Sequence, residues 1–102
     1  MPVPPQNVRD AAQRALDARD AVPASRKAGT PVGLARANQL ANGENVSKNT
    51  LLRMHSYFSR ARADYDAARA KGLDLESSKA IQAYYLWGGP AGFAWVRREL
   101  NK

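Results

Sequence analysis

Ser47-Lys48-Asn49-Thr50-Leu51-Leu52-Arg53-Met54-His55-Ser56-Tyr57-Phe58-Ser59-Arg60, continuing to Ala70, is the stretch that decides the fold. With each residue turning about 100° around a helix, Leu51, Met54, Phe58, Ala61, Tyr65 and Ala68 share one stripe. Asn49, Arg53, Ser56 and Arg60 fall on the opposite side. The spacing predicts a long amphipathic helix over 48–70. Ser47 caps it, because a hydroxyl accepts from the unpaired N–H groups of a first turn, and Gly72 stops it. Nowhere does the chain alternate apolar and polar residues as a half-buried strand would.

Upstream, Thr30-Pro31 starts a second helix over 31–42, with Leu34, Ala37, Leu40 and Ala41 turned inward. Asn42-Gly43 stops it, since both residue types accept left-handed dihedrals. Pro4-Pro5 leads into a first helix over 6–20. There Val8, Ala11, Ala12, Ala15 and Leu16 share a face, and Asp10 is spaced to pair with Arg14. Val22-Pro23 ends that helix, and a polar loop carrying Arg26-Lys27 follows. Downstream, Leu73 to Glu76 form a short linker, and Ser77 or Ser78 caps a fourth helix over 78–87. Gly88-Gly89 forces a turn, and Pro90 opens a fifth helix over 90–100. The expectation is an all-α, compact bundle of about five helices in one domain spanning 1–102, containing a helix-turn-helix-like hairpin at 32–60.

Much of the 44% hydrophobic content is alanine, which buries little area. The core must rest on Leu16, Leu34, Leu40, Leu51, Met54, Phe58, Tyr65, Ile81, Leu86, Trp87, Phe93, Trp95, Val96 and Leu100, a thin set that predicts modest stability. The absence of cysteine removes disulfides, thiolate nucleophiles and zinc-thiolate sites. No apolar run nears the roughly 18 residues of a membrane span, and Met1 to Pro5 lacks the features of a signal peptide. A soluble protein made in the cytoplasm, without a membrane partner, is expected. The formal net charge of +7 favours polyanionic partners through the summed field and counterion release.

Two groups of residues carry a family resemblance. The first is Gly29-Thr30-Pro31-Val32-Gly33-Leu34-Ala35-Arg36-Ala37, then Leu40-Ala41-Asn42-Gly43, Ser47, Thr50, Arg53-Met54 and Ser56-Tyr57-Phe58-Ser59-Arg60. The second is Leu86-Trp87-Gly88-Gly89, with Ala91-Gly92 and Trp95 behind it. Over about residues 6 to 98 the set resembles a small helical module encoded by tailed bacteriophages and prophages. That module occurs in small phage proteins of undefined role and appended to head-assembly proteins. The resemblance implies a viral origin, a helical fold, and residence in the host cytoplasm or the virion. It implies no reaction. The chain departs from the pattern at Ala61, where the module carries His, and lacks the Lys- and Gly-rich loop that follows there.

Chemistry-bearing residues are sparse. In a DNA-binding helix-turn-helix the second helix enters the major groove, so Asn49, Arg53 and Ser56 would meet base edges. Arg36, Lys48 and Arg60 would meet phosphates. The plainer alternative is a helical hairpin with a solvated polar face. His55, the only histidine, sits among cations, which suits a rim packing position better than a general base or a metal ligand. Asp64 and Asp66 point about 200° apart on a helix and cannot share a proton. They are spaced instead to pair with Arg60 and Arg62. Asp74 and Glu76 read as solvating charges on the linker. Trp87-Gly88-Gly89-Pro90-Ala91-Gly92 lacks the lysine and hydroxyl of a phosphate loop and reads as a tight helix junction plugged by Trp87.

Trp95 lies well away from the face marked by Phe93, Val96 and Leu100. It either packs on the first helix or stands exposed beside Arg98 as an anchor for a partner. With neither a Ser-His-Asp arrangement nor paired carboxylates in contrasting environments, no catalytic residues, cofactor or metal are expected. The leading expectation is a non-enzymatic, basic binding protein that contacts duplex DNA through the 32–60 hairpin. The alternatives are a capsid- or tail-associated virion protein and an adaptor for a host protein, with homo-oligomerisation left open.

Overall fold

A computed structural model describes residues 2–102. Five α-helices follow one another: α1 (Gln6–Ala21), α2 (Pro31–Ala41), α3 (Lys48–Ala70), α4 (Lys79–Leu86) and α5 (Gly89–Leu100). A 3-10 turn at Ala24–Arg26 lies between α1 and α2, and no strand occurs among the described residues. The starts of α2, α3 and α4 have one chemistry. The Thr30, Ser47 and Ser78 hydroxyls accept from the backbone N–H groups of Gly33, Thr50 and Ile81 at 3.1–3.2 Å. Left-handed glycines close α2 and α3, Gly43 at φ 69° and Gly72 at φ 78°. Asn42 is itself right-handed, so Gly43 alone makes that reversal. The α4–α5 junction is tighter than the sequence suggests. Gly88 (φ 110°) caps α5, Gly89 (φ 65°) is its first residue, and Pro90 follows as the second.

One contiguous core joins the helices, and the radius of gyration of 12.6 Å is close to the ~13 Å of a single packed chain this size. Phe58, Leu40, Met54, Ile81, Leu86, Val8, Val46 and Val96 are fully buried. Leu16, Leu34, Trp87, Phe93 and Leu100, expected at the centre, are only partly buried and pack around its edge. Aromatic rings supply the bulk that alanine lacks: Phe58 stacks on Phe93 and Tyr65 on Tyr84, with centroids 5.0 and 4.1 Å apart. His55 meets the edge of Phe93 and is half-buried, a packing position as expected.

Neighbour relations change two sequence expectations. The five-helix, all-α architecture holds, but α2 and α3 scarcely touch, so residues 32–60 are not a packed hairpin. Instead α2 docks on α1 and α4, and α3 docks on α4 and α5. Trp87 stands between α2 and α3, its ring stacked on Tyr57 at 4.6 Å and 12°. The indole nitrogen also lies within 3.5 Å of where a Cβ on Gly33 would sit. Trp95 is the second correction. Because α5 is packed by both α3 and α1, two of its sides are covered, and Trp95 is buried to 4% exposure. It cannot anchor a partner; Arg98 stays exposed without it.

Ion pairing is also sparser than the spacings suggest. Arg62 and Asp66 pair at 3.5 Å, whereas no Arg60–Asp64 or Asp10–Arg14 pair forms. Asp10 accepts from Gln6 instead, and the Arg14 guanidinium lies over Tyr85. Asp74 is more than a solvating charge: its carboxylate accepts from Leu75 N–H at 2.8 Å and lies 3.8 Å from Arg69.

Candidate nucleic-acid interface

The apolar stripe of α3 is buried at Leu51, Met54, Phe58, Tyr65 and Ala68, which turns the opposite stripe outward. Asn49, Arg53, Ser56 and Arg60 are all exposed, and so is Lys48 at the start of the helix. At 1.5 Å rise per residue, Asn49 to Arg60 spans about 16 Å of helix. Every one of these sequence-predicted side chains is therefore available to solvent.

Arg36 is brought to the same surface by a different route. Its guanidinium lies 5.7 Å over the Trp87 ring, on a residue whose neighbour Tyr57 is stacked against that ring. One arm donates to the Gln39 side-chain carbonyl, while the buried Nε has no partner. Burial, and after it the charge of Arg53, holds the Arg36 pKa below its ordinary value. Two guanidiniums thus sit close enough to repel, and no carboxylate pairs with either. An anion placed between them would relieve that repulsion.

Beside Trp87 lies a groove with two lobes, the first between the start of α2 and α3 and the second between the loop before α2, α3 and α4. The first, of about 400 Å³, is lined by Thr30, Val32, Leu52, Arg53, Ser56, Arg60 and Trp87. The second, of about 630 Å³, runs toward the start of α4 and includes Lys27, Tyr57, Lys79, Ala80 and Ala83. Thr30, Arg60 and Trp87 belong to both and form the saddle between them. Neither lining contains an acidic residue. Carboxylates collect elsewhere: Asp17, Asp74 and Glu76 line a separate depression between α1 and the α3–α4 linker.

No protein-family model, curated protein or solved structure matches this chain. The residues themselves must carry the functional argument. Trp87, Lys27 and Lys79 were not among the expected contacts, though all three line the groove beside Tyr57. Burial raises the Tyr57 phenol well above its ordinary pKa, so it remains a neutral hydrogen-bond donor. The loop bearing Lys27 is itself fixed. Gln82, buried to 1% exposure, accepts from Ala28 N–H at 2.7 Å and donates to the Leu75 carbonyl at 3.0 Å. Arg19 donates to the Ala28 carbonyl, and Lys27 donates back to the Arg19 carbonyl.

Proposed function

We propose that this chain is a non-catalytic nucleic-acid-binding protein that lays the outer face of α3 against duplex DNA. The observation that carries this reading is the exposed stripe Asn49, Arg53, Ser56 and Arg60, which Lys48 and Arg36 flank and whose last three residues line a groove without a carboxylate. Asn and Arg are the side chains that make bidentate contacts to adenine and guanine edges, and the cations neutralise phosphates. Because α2 stands off from α3, the register on DNA is set by phosphate contacts from Arg36, over the Trp87 ring, and not by a packed helix-turn-helix pair. The resemblance to the tailed-phage module supports a role in the host cytoplasm, on phage or host DNA.

Fluorescence anisotropy of a labelled duplex, titrated across salt concentrations, tests the reading. If Arg36, Lys48 and Arg60 each neutralise one phosphate, the log–log slope of affinity against salt is about −2.7. Arg60→Ala lowers its magnitude by about one. Failure of the wild-type protein to bind any duplex at low salt refutes the proposal.

One observation favours a protein partner instead. Val32 and Leu52 are exposed by 52% and 48%, and both line the first lobe. Apolar side chains inside a basic groove suit an acidic segment of a capsid, tail or host protein. Under that reading the protein occurs in purified particles at a stoichiometry set by virion symmetry, and Leu52→Asp removes it from them.

A further inference from the structure

The second lobe contains more than phosphate recognition requires. Phosphate contacts along a duplex need only cations on a convex or flat face. This lobe is concave, holds about 630 Å³, and falls in the size range of small-molecule sites. Its wall carries the alanine side chains of Ala80 and Ala83 together with Tyr57 and Trp87, while Arg60 and Lys79 are exposed at its rim. Lys27 also lines it, with its ammonium already donating to the Arg19 carbonyl. An apolar wall with cations at the rim matches a planar heterocycle joined to a phosphate. Inorganic phosphate would leave the wall unused, and an apolar ligand would leave the cations unpaired.

We infer that the second lobe receives one unstacked nucleotide, its base against Ala80, Ala83 and the Tyr57–Trp87 pair and its phosphate toward Arg60 and Lys79. The inference rests on the nucleic-acid reading above and narrows its ligand. In an intact duplex the base faces are stacked on one another and none is free to enter a cavity. A nucleotide that reaches this lobe from the α3 groove, past the Thr30–Arg60–Trp87 saddle, must lie at a strand end or in a single-stranded extension. The preferred ligand is therefore DNA carrying an unpaired overhang beside a duplex.

Anisotropy competition between a blunt duplex and the same duplex with a short single-stranded extension tests this. The wild type should prefer the overhang by about tenfold, the scale of one base stacked on a protein surface. Ala83→Leu fills the lobe and should abolish that preference while leaving blunt-duplex affinity unchanged. Lys79→Gln, a surface change that spares the core, should weaken overhang binding several-fold more than duplex binding. Circular dichroism melts verify that both variants fold. Equal affinity for the two DNAs, or a preference that survives both substitutions, overturns the second-lobe assignment and leaves the α3 reading standing. No binding to either DNA overturns both.

Discussion

Gln82→Glu turns the buried link between the Lys27 loop and the α3–α4 linker into a titratable one. The native amide accepts from Ala28 N–H at 2.7 Å and donates to the Leu75 carbonyl at 3.0 Å. A protonated carboxyl reproduces both bonds, one oxygen accepting and the hydroxyl donating. An ionised one can only accept, so it faces the Leu75 carbonyl with no proton between them and carries an unpaired charge at a site with 1% exposure. The folded-state pKa of the introduced group therefore lies above its unfolded value of about 4.3. With the folded pKa raised, the folded chain holds the proton more tightly. The protonated link contributes fully below about pH 4.3, and its contribution is lost as pH rises. If the group stays protonated in the fold up to pH 7, the loss reaches about 3.7 kcal/mol, at 1.36 kcal/mol per pH unit. That is a large part of the roughly 5–15 kcal/mol holding a domain together.

Urea unfolding followed by far-ultraviolet circular dichroism, as the difference between variant and wild type at several pH values, reads this directly. The difference should be small at about pH 4 and widen toward pH 7. Gln82→Leu leaves the Ala28 N–H and the Leu75 carbonyl both unsatisfied and should cost about 2–5 kcal/mol with no such dependence. A variant-minus-wild-type difference that is flat across this range would refute the double hydrogen bond.

Gly92→Ala places a methyl group 2.9 Å from the Trp87 carbonyl oxygen and 3.2 Å from Phe58 Cζ. It should cost about 1–3 kcal/mol and lower the melting temperature by several degrees in calorimetry. Tyr65 lies against Tyr84 and Tyr85, and burial followed by the charge of Tyr85 raises its pKa from 10.0 to about 12. Its contribution to stability is then complete below about pH 10 and lost as pH climbs through the folded value. Tyrosinate absorbance should accordingly show a late phase whose amplitude falls by one tyrosine in Tyr65→Phe.

Helix positions were legible in the sequence because their signals are local. Thr30, Ser47 and Ser78 cap where hydroxyl chemistry says they should, and Gly43 and Gly72 stop where a left-handed residue is needed. The exposed stripe of α3 was legible for the same reason: a single apolar stripe leaves one side free. Trp95 was not, because a helical wheel describes one buried face and α5 is packed from two directions. The groove was invisible for a related reason. It depends on Trp87 coming between two helices that sequence proximity alone would have paired, and on Lys27 and Lys79 arriving from separate connections. Gln82 gave no sign either, since one amide in an otherwise apolar helix is indistinguishable from a solvated side chain until both its partners are known.

The glycines of the α4–α5 junction tie the binding surface to the core. A Cβ on Gly88 would lie 3.0 Å from both Gly92 Cα and Val8 Cγ1, so α1, the junction and α5 can approach this closely only without side chains there. That approach fixes the backbone at Trp87, which caps α4 from its last turn. From that point the indole reaches Tyr57 on α3, Gly33 and Arg36 on α2, and both lobes of the groove. Arg36 is partly desolvated yet held by Trp87 and Gln39, so it reaches the surface with less freedom to lose on binding than a solvated arginine has. The width of the groove and the direction of that cation thus depend on one side chain, whose place is set by residues that have none.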